Sequence, residues 1–152
     1  MSFWQNAIIL LYAFINFLVF GKGFYESKYK KNAYGLTPGL FILGIFVWGD
    51  AVIFGLFWFL SSLISYLLND WLLFFLIISV FWVIRSLGET IYWINQQFSS
   101  KIYDWNKPEN LLLRSVFHND SIWFIYQTTW QCITIVSVIT TIYLANLWLN
   151  TF

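Results

Sequence analysis

Asp50 stands in WGDAVIF, and Arg85 and Glu89 stand four residues apart in FWVIRSLGETIYW, each inside a long apolar stretch. Two carboxyls and a guanidinium in such surroundings can neutralise one another, hold a proton or bind a small cation. Asp50 is expected to pair with Arg85, which leaves Glu89, and Glu89 can bond to the same arginine because a guanidinium has five donors. Two carboxylates around one cation leave a negative charge in excess, which low dielectric disfavours, so one carboxyl is expected to hold a proton or another cation. Tyr92, Gln127 and Gln131 supply neutral polar groups nearby on the helical repeat. The candidate ion- or proton-binding site is therefore Asp50, Arg85, Glu89, Gln131, Gln127 and Tyr92.

The elements that must position these residues follow from the solvent. Of 152 residues, 60% are hydrophobic, 24% aromatic and 10% charged, against about 25% charged in soluble domains. So few polar groups cannot cover a water-facing surface, and the alternative is lipid. Crossing a hydrocarbon core takes about 20 apolar residues, and runs of that order fall at roughly 3–20, 38–68, 71–98 and 120–148. The expected fold is an all-α integral membrane protein, a four-transmembrane-helix bundle forming a single transmembrane domain over residues 1–152. Thr37-Pro38 reads as an N-cap followed by proline at the first helical position. A helix from Pro38 to Leu68 would be about 46 Å long, so it must tilt, protrude or break near Gly49.

Orientation follows from the cations. Lys22, Lys28, Lys30 and Lys31 lie between the first two runs, and Lys101, Lys107 and Arg114 between the last two. The positive-inside rule then puts both termini on the non-cytoplasmic side, in the plasma (cytoplasmic) membrane. The first run does not read as a secretory signal, because its first basic residue, Lys22, comes after the apolar region. Trp4, Tyr66, Trp71 and Trp148 suit an outer aromatic belt, with Tyr34, Trp105 and Trp123 near the inner interface.

Counting from the cytoplasmic ends at 1.5 Å per residue gives depths of about 18 Å for Asp50, 20 Å for Arg85, 17 Å for Gln131 and 14 Å for Glu89. Three helices would thus share one polar layer. Arg85, Glu89, Tyr92 and Gln96 fall on one helical stripe, as do Gln127, Gln131, Thr134, Thr141 and Ala145. Gly44, Ala51, Gly55 and Ser62 form a line of small residues suited to close helix packing.

The function expected from this pattern is movement of a proton, an ion or a small polar solute. Glu89 or Asp50 would titrate, and Arg85 would hold the counter-charge. One narrow bundle favours a path between protomers, hence a homo-oligomer. Two alternatives stand beside it. One is a non-catalytic membrane subunit or scaffold in a larger membrane complex, whose charge cluster only fixes helix packing. The other is an inner-leaflet enzyme for a lipophilic substrate, recruiting Glu89, Tyr92 and His118.

Other chemistry is disfavoured. There is no Gly-x-Ser-x-Gly, no His-Glu-x-x-His and no phosphate-cradling glycine loop, and no catalytic residue or cofactor is expected. His118, Asn119 and Asp120 with Asp104 and Glu109 match no metal-ligand spacing; Asp120-Ser121 reads as a helix cap. One cysteine, Cys132, excludes an internal disulfide. A net charge of +1 without a basic stripe argues against nucleic acid, leaving the lipid bilayer as the certain partner. Within it, NKPENLLLRSVF suits an interfacial helix with Leu112 and Val116 toward lipid and Arg114 toward headgroups. Lys28, Lys30 and Lys31 with Tyr25 and Tyr29 suit an anionic-lipid contact as well as a plain topology-setting loop.

Overall fold

The structure, a computed structural model, describes residues 1–37, 39–99, 106–117 and 119–151. Four helices carry it: α1 (Phe3–Lys28), α2 (Trp48–Leu67), α3 (Trp71–Phe98) and α4 (Ser121–Leu149). Each is long and apolar enough to cross a membrane. No strand occurs among the described residues, whose sheet pairing is one isolated antiparallel bridge between Leu36 and Val47. The protein is all-α and polytopic in the membrane. Its contacts divide it into two compact units, Met1–Ile77 with Leu147–Phe152, and Ile78–Asn146.

In the first unit, α1 opens on a capping box. Ser2 Oγ accepts from the Gln5 backbone at 3.3 Å while Gln5 Oε1 accepts from the Ser2 backbone at 2.7 Å. The helix runs eight residues past Phe20, where its apolar run ends. Glu26, itself buried, lies 2.7 Å from Lys22 Nζ and 2.9 Å from Lys30 Nζ, so one carboxylate ties the last turns of α1 to the residue just past its end. The Glu26 hydrogen bond holds the Lys30 ammonium above the ordinary lysine value.

α1 and α2 pack so closely that two glycines are required. A Cβ on Gly55 would lie 2.8 Å from the Phe20 backbone nitrogen, and one on Gly23 would lie 2.7 Å from Ala51 Cβ. Asn16, fully buried here, donates to the Tyr12 carbonyl of its own helix at 2.9 Å. The Tyr12 ring meets Trp58 and Phe74 edge-on.

The expectation of a helix starting at Pro38 is corrected: α2 starts at Trp48. Before it the chain folds back as a hairpin. Gly49 N donates to Ala33 O at 2.8 Å, Trp48 N to Gly35 O at 3.0 Å, and Thr37 N to Phe46 O at 3.0 Å. Gly39 and Gly44 have φ of +76° and +71°, a conformation that turns the chain out of any α-helix and that glycine adopts without strain. Trp58 Nε1 donates to Leu43 O at 3.1 Å. Trp58 is ten residues into α2, so after allowing for the backward lean of helical side chains the hairpin tip lies about 10–15 Å along that helix. Ile45 is fully buried, while Phe41 and Ile42 face outward. Apolar, non-helical backbone thus lies beside a spanning helix, which is tolerated where protein groups satisfy its polar atoms.

The far end of this unit is tied by polar contacts. Asp70 Oδ1 accepts from Leu73 N at 2.9 Å and its Oδ2 accepts from Trp148 Nε1 at 2.6 Å, while the amino terminus donates to Asn69 Oδ1 at 3.1 Å.

In the second unit, α3 and α4 meet through stacked aromatic pairs, Trp93 on Tyr126 at 4.6 Å and Trp82 on Trp130 at 6.5 Å between centroids. Trp93, Ile122 and Trp123 form a buried cluster, against which Leu111 and Phe117 of the α3–α4 connection pack. That connection holds a 3-10 turn at Pro108–Asn110 and, after it, one turn closed by Phe117 N on Leu113 O at 3.0 Å. The Asn119 amide oxygen accepts from Ser121 N at 3.0 Å at the start of α4.

Candidate functional site

Four residues on a helix span little more than one turn, so Arg85 and Glu89 share a face whatever the tertiary structure does. They form an ion pair, Nη2 to Oε1 at 3.0 Å, with side chains only 16% and 15% exposed. The pair stands midway along α3, where a lone charge in hydrocarbon costs at least about 2.5–3.5 kcal/mol.

Asp50 is placed differently from its sequence-based depth. The count of about 18 Å began at Pro38, whereas α2 begins at Trp48, so Asp50 lies in the first turn of the helix. Its Oδ2 accepts from Phe46 N at 3.1 Å, a carboxylate at a helix start where the free N–H groups and the helix dipole favour negative charge. The depth count is thereby replaced for Asp50, while Asp50, Arg85 and Glu89 each keep interactions beyond these two contacts.

Next to the ion pair, Ser86 is fully buried. The Thr134 hydroxyl of α4 lies 2.9 Å from Ser86 Oγ and 2.9 Å from the Trp130 carbonyl, so its single proton has two acceptors. Thr90 donates to the Ser86 carbonyl at 2.9 Å. Toward the carboxyl end of α3, Gln97 Nε2 donates to Gln127 Oε1 at 2.6 Å. There Asn106 joins the elements: its amide donates to the Tyr92 hydroxyl and to Gln96 Oε1, and its carbonyl accepts from Trp123 Nε1 at 2.8 Å.

These groups form a polar seam between α3 and α4. From Ser86 to Gln97 it covers about 17 Å of α3, roughly half of the 30 Å or so of a hydrocarbon core. Three of its buried polar atoms, Trp93 Nε1, Gln96 Nε2 and Thr141 Oγ1, have no hydrogen-bond partner among the described residues. Buried polar groups of this kind call for water. A seam that is dry and aromatic at its stacked pairs is thus polar enough elsewhere to take up single waters.

The chain matches no protein family, no curated protein and no solved structure with which it was compared. Function is accordingly argued from the geometry.

Two of the sequence-predicted site residues lie toward the more exposed side of their helices. The most buried line of α3 runs through Ser79, Ser86, Thr90, Trp93 and Gln96, and Tyr92 is 41% exposed. The helix presents the residues beside the charged stripe, because the aromatic stacks at Trp82 and Trp93 set its rotation. On α4, Gln127 and Thr134 reach the seam, but Gln131 is exposed and has no side-chain hydrogen bond among the described residues. α4 packs through a narrow stripe with Trp130, Thr134 and Ser137, and Gln131 is turned about 100° from Trp130.

Sequence reasoning missed Asn106, which carried no signal because it lies in the loop, and Gln97, which sits one position beyond the stripe that was counted. Of the residues invoked for an enzyme, Tyr92 is held by Asn106, and His118 lies outside the described residues, as do Asp104 and Trp105. No cluster of three metal-ligating side chains occurs among the described residues.

Proposed function

We propose that this membrane protein moves protons along the α3–α4 seam, with Glu89 taking up and releasing the proton and Arg85 holding the counter-charge. The observation that carries the reading is the mid-helix Arg85–Glu89 pair, set within a line of hydroxyls, amides and unpartnered buried donors. Protonating Glu89 uncouples it from the guanidinium, and loss of that proton to the opposite side restores the pair. A line of hydroxyls, amides and single waters suits the passage of protons. Asp50 suits the role less, because its carboxylate accepts from the Phe46 backbone just ahead of α2. In this reading both termini lie outside the cytoplasm of a plasma membrane.

The test is proton flux into liposomes carrying an internal pH dye, driven by a potassium potential with valinomycin. Glu89→Gln abolishes the flux and Asp50→Asn leaves most of it. Parental flux in the double variant Asp50→Asn/Glu89→Gln ends the proposal.

One observation favours a second reading, a membrane subunit or scaffold. Gln131 is exposed in the middle of an apolar span, and the most apolar stretch of α4 buries none of its residues. An amide facing hydrocarbon without a partner is costly. Because glutamine both donates and accepts, the same residue of a second copy can satisfy it across a two-fold axis. Cross-linking through the neighbouring exposed Cys132, lost in Gln131→Leu, together with absence of flux from the protein alone, is the result that would favour this reading.

A further inference from the structure

The connection between α3 and α4 holds a cleft of about 450 Å³ lined by Lys107, Pro108, Glu109, Arg114, Phe117 and Asn119. The chain enters and leaves this connection from two spanning helices, which places it at the level of the lipid headgroups. Arg114 Nη1 donates to the Glu109 carbonyl at 2.6 Å, which anchors the guanidinium at the cleft wall. A guanidinium carries five N–H donors, so one bond to a carbonyl leaves most of its fork for a ligand. With Lys107 and against Glu109, the described lining residues carry one net positive charge.

On the same segment Leu112 is 92% exposed and Val116 is 66% exposed. They stand four residues apart on either side of Arg114, beside Leu113, whose carbonyl closes the turn. In water these side chains have no reason to protrude; at a membrane surface they lie against acyl chains. Phe117 lines the cleft and packs on the Trp93, Ile122 and Trp123 cluster, so the cleft floor is fixed to the second unit's core.

We infer that this cleft is a binding site for the phosphate headgroup of an anionic phospholipid, with Arg114 on the phosphate oxygens and Leu112 and Val116 against the upper acyl chains. Planar guanidinium groups recognise phosphate through paired, charge-assisted hydrogen bonds. The same chemistry would also hold free phosphate, and the exposed leucine and valine are what assign the site to a lipid. The site does not depend on proton movement along the seam.

The experiment uses the full chain reconstituted in phosphatidylcholine vesicles doped with spin-labelled phosphatidylglycerol or spin-labelled phosphatidylcholine. The motionally restricted fraction gives the relative affinity of the two lipids. The parent prefers phosphatidylglycerol; Arg114→Gln lowers that preference about fivefold, and Arg114→Lys keeps part of it. An unchanged preference in Arg114→Gln overturns the site. The double variant Leu112→Ser/Val116→Ser leaves the cleft lining intact, and it too must lose restricted phosphatidylglycerol. Displacement of the spin-labelled lipid by millimolar inorganic phosphate, with no effect of the double variant, makes the cleft a soluble-phosphate site and overturns the lipid assignment.

Discussion

Replacing Glu89 by glutamine keeps the size of the side chain and removes its charge, leaving Arg85 midway along α3 without the carboxylate 3.0 Å away. Breaking a fully buried pair costs about 3–5 kcal/mol, whereas an exposed pair at this spacing is worth only about 0.3–0.5 kcal/mol. The two side chains are 16% and 15% exposed, which is near the buried limit, and Arg85 keeps other interactions. A loss of about 2 kcal/mol is therefore expected for Glu89→Gln. Arg85→Gln should cost less, because a lone glutamate can shed its charge by taking a proton and a lone arginine cannot. The double variant, which removes both charges, should return to within about 1 kcal/mol of the parent. The assay is unfolding in mixed micelles as dodecyl sulfate replaces mild detergent, followed by far-ultraviolet circular dichroism. If Glu89→Gln unfolds at the parental midpoint, or if Arg85→Gln is the more damaging change, the two groups are not neutralising each other in a low-dielectric setting.

Two further outcomes test the first unit. Gly55→Ala puts a Cβ 2.8 Å and 3.0 Å from backbone atoms of Phe20, so α1 and α2 must separate, at about 1–3 kcal/mol in the same unfolding assay; Gly21→Ala meets nothing within 4 Å and should stabilise by up to about 1 kcal/mol through helix propensity. Trp58→Phe removes the donor to the Leu43 carbonyl, costing about 1–2 kcal/mol, and should speed hydrogen exchange at the Thr37 amide, which is bonded across the hairpin, while the mid-α1 amides stay protected.

Composition and run length alone make this an all-α membrane protein with four spanning helices, because lipid requires about 20 apolar residues per crossing and backbone bonds satisfied within each helix. That Arg85 and Glu89 share one helical face was equally legible, since residues four apart on a helix are neighbours under any packing, although the sequence reading gave Arg85 first to Asp50. Both are local consequences of the chain.

What only the tertiary structure decided are contacts between residues distant in sequence. Hydropathy reads residues 39–47 as more helix, for lipid exposes the same apolar side chains in a helix and in a hairpin. The hairpin exists because Thr37 meets Phe46 and Trp58 reaches Leu43. It puts Asp50 in the first turn of α2. The rotations of α3 and α4, which bury Ser86 and expose Gln131, were likewise set by the Trp93–Tyr126 and Trp82–Trp130 stacks. A polar stripe in sequence says that some face of a helix is polar; which face is covered is settled by the side chains of the neighbour that packs against it.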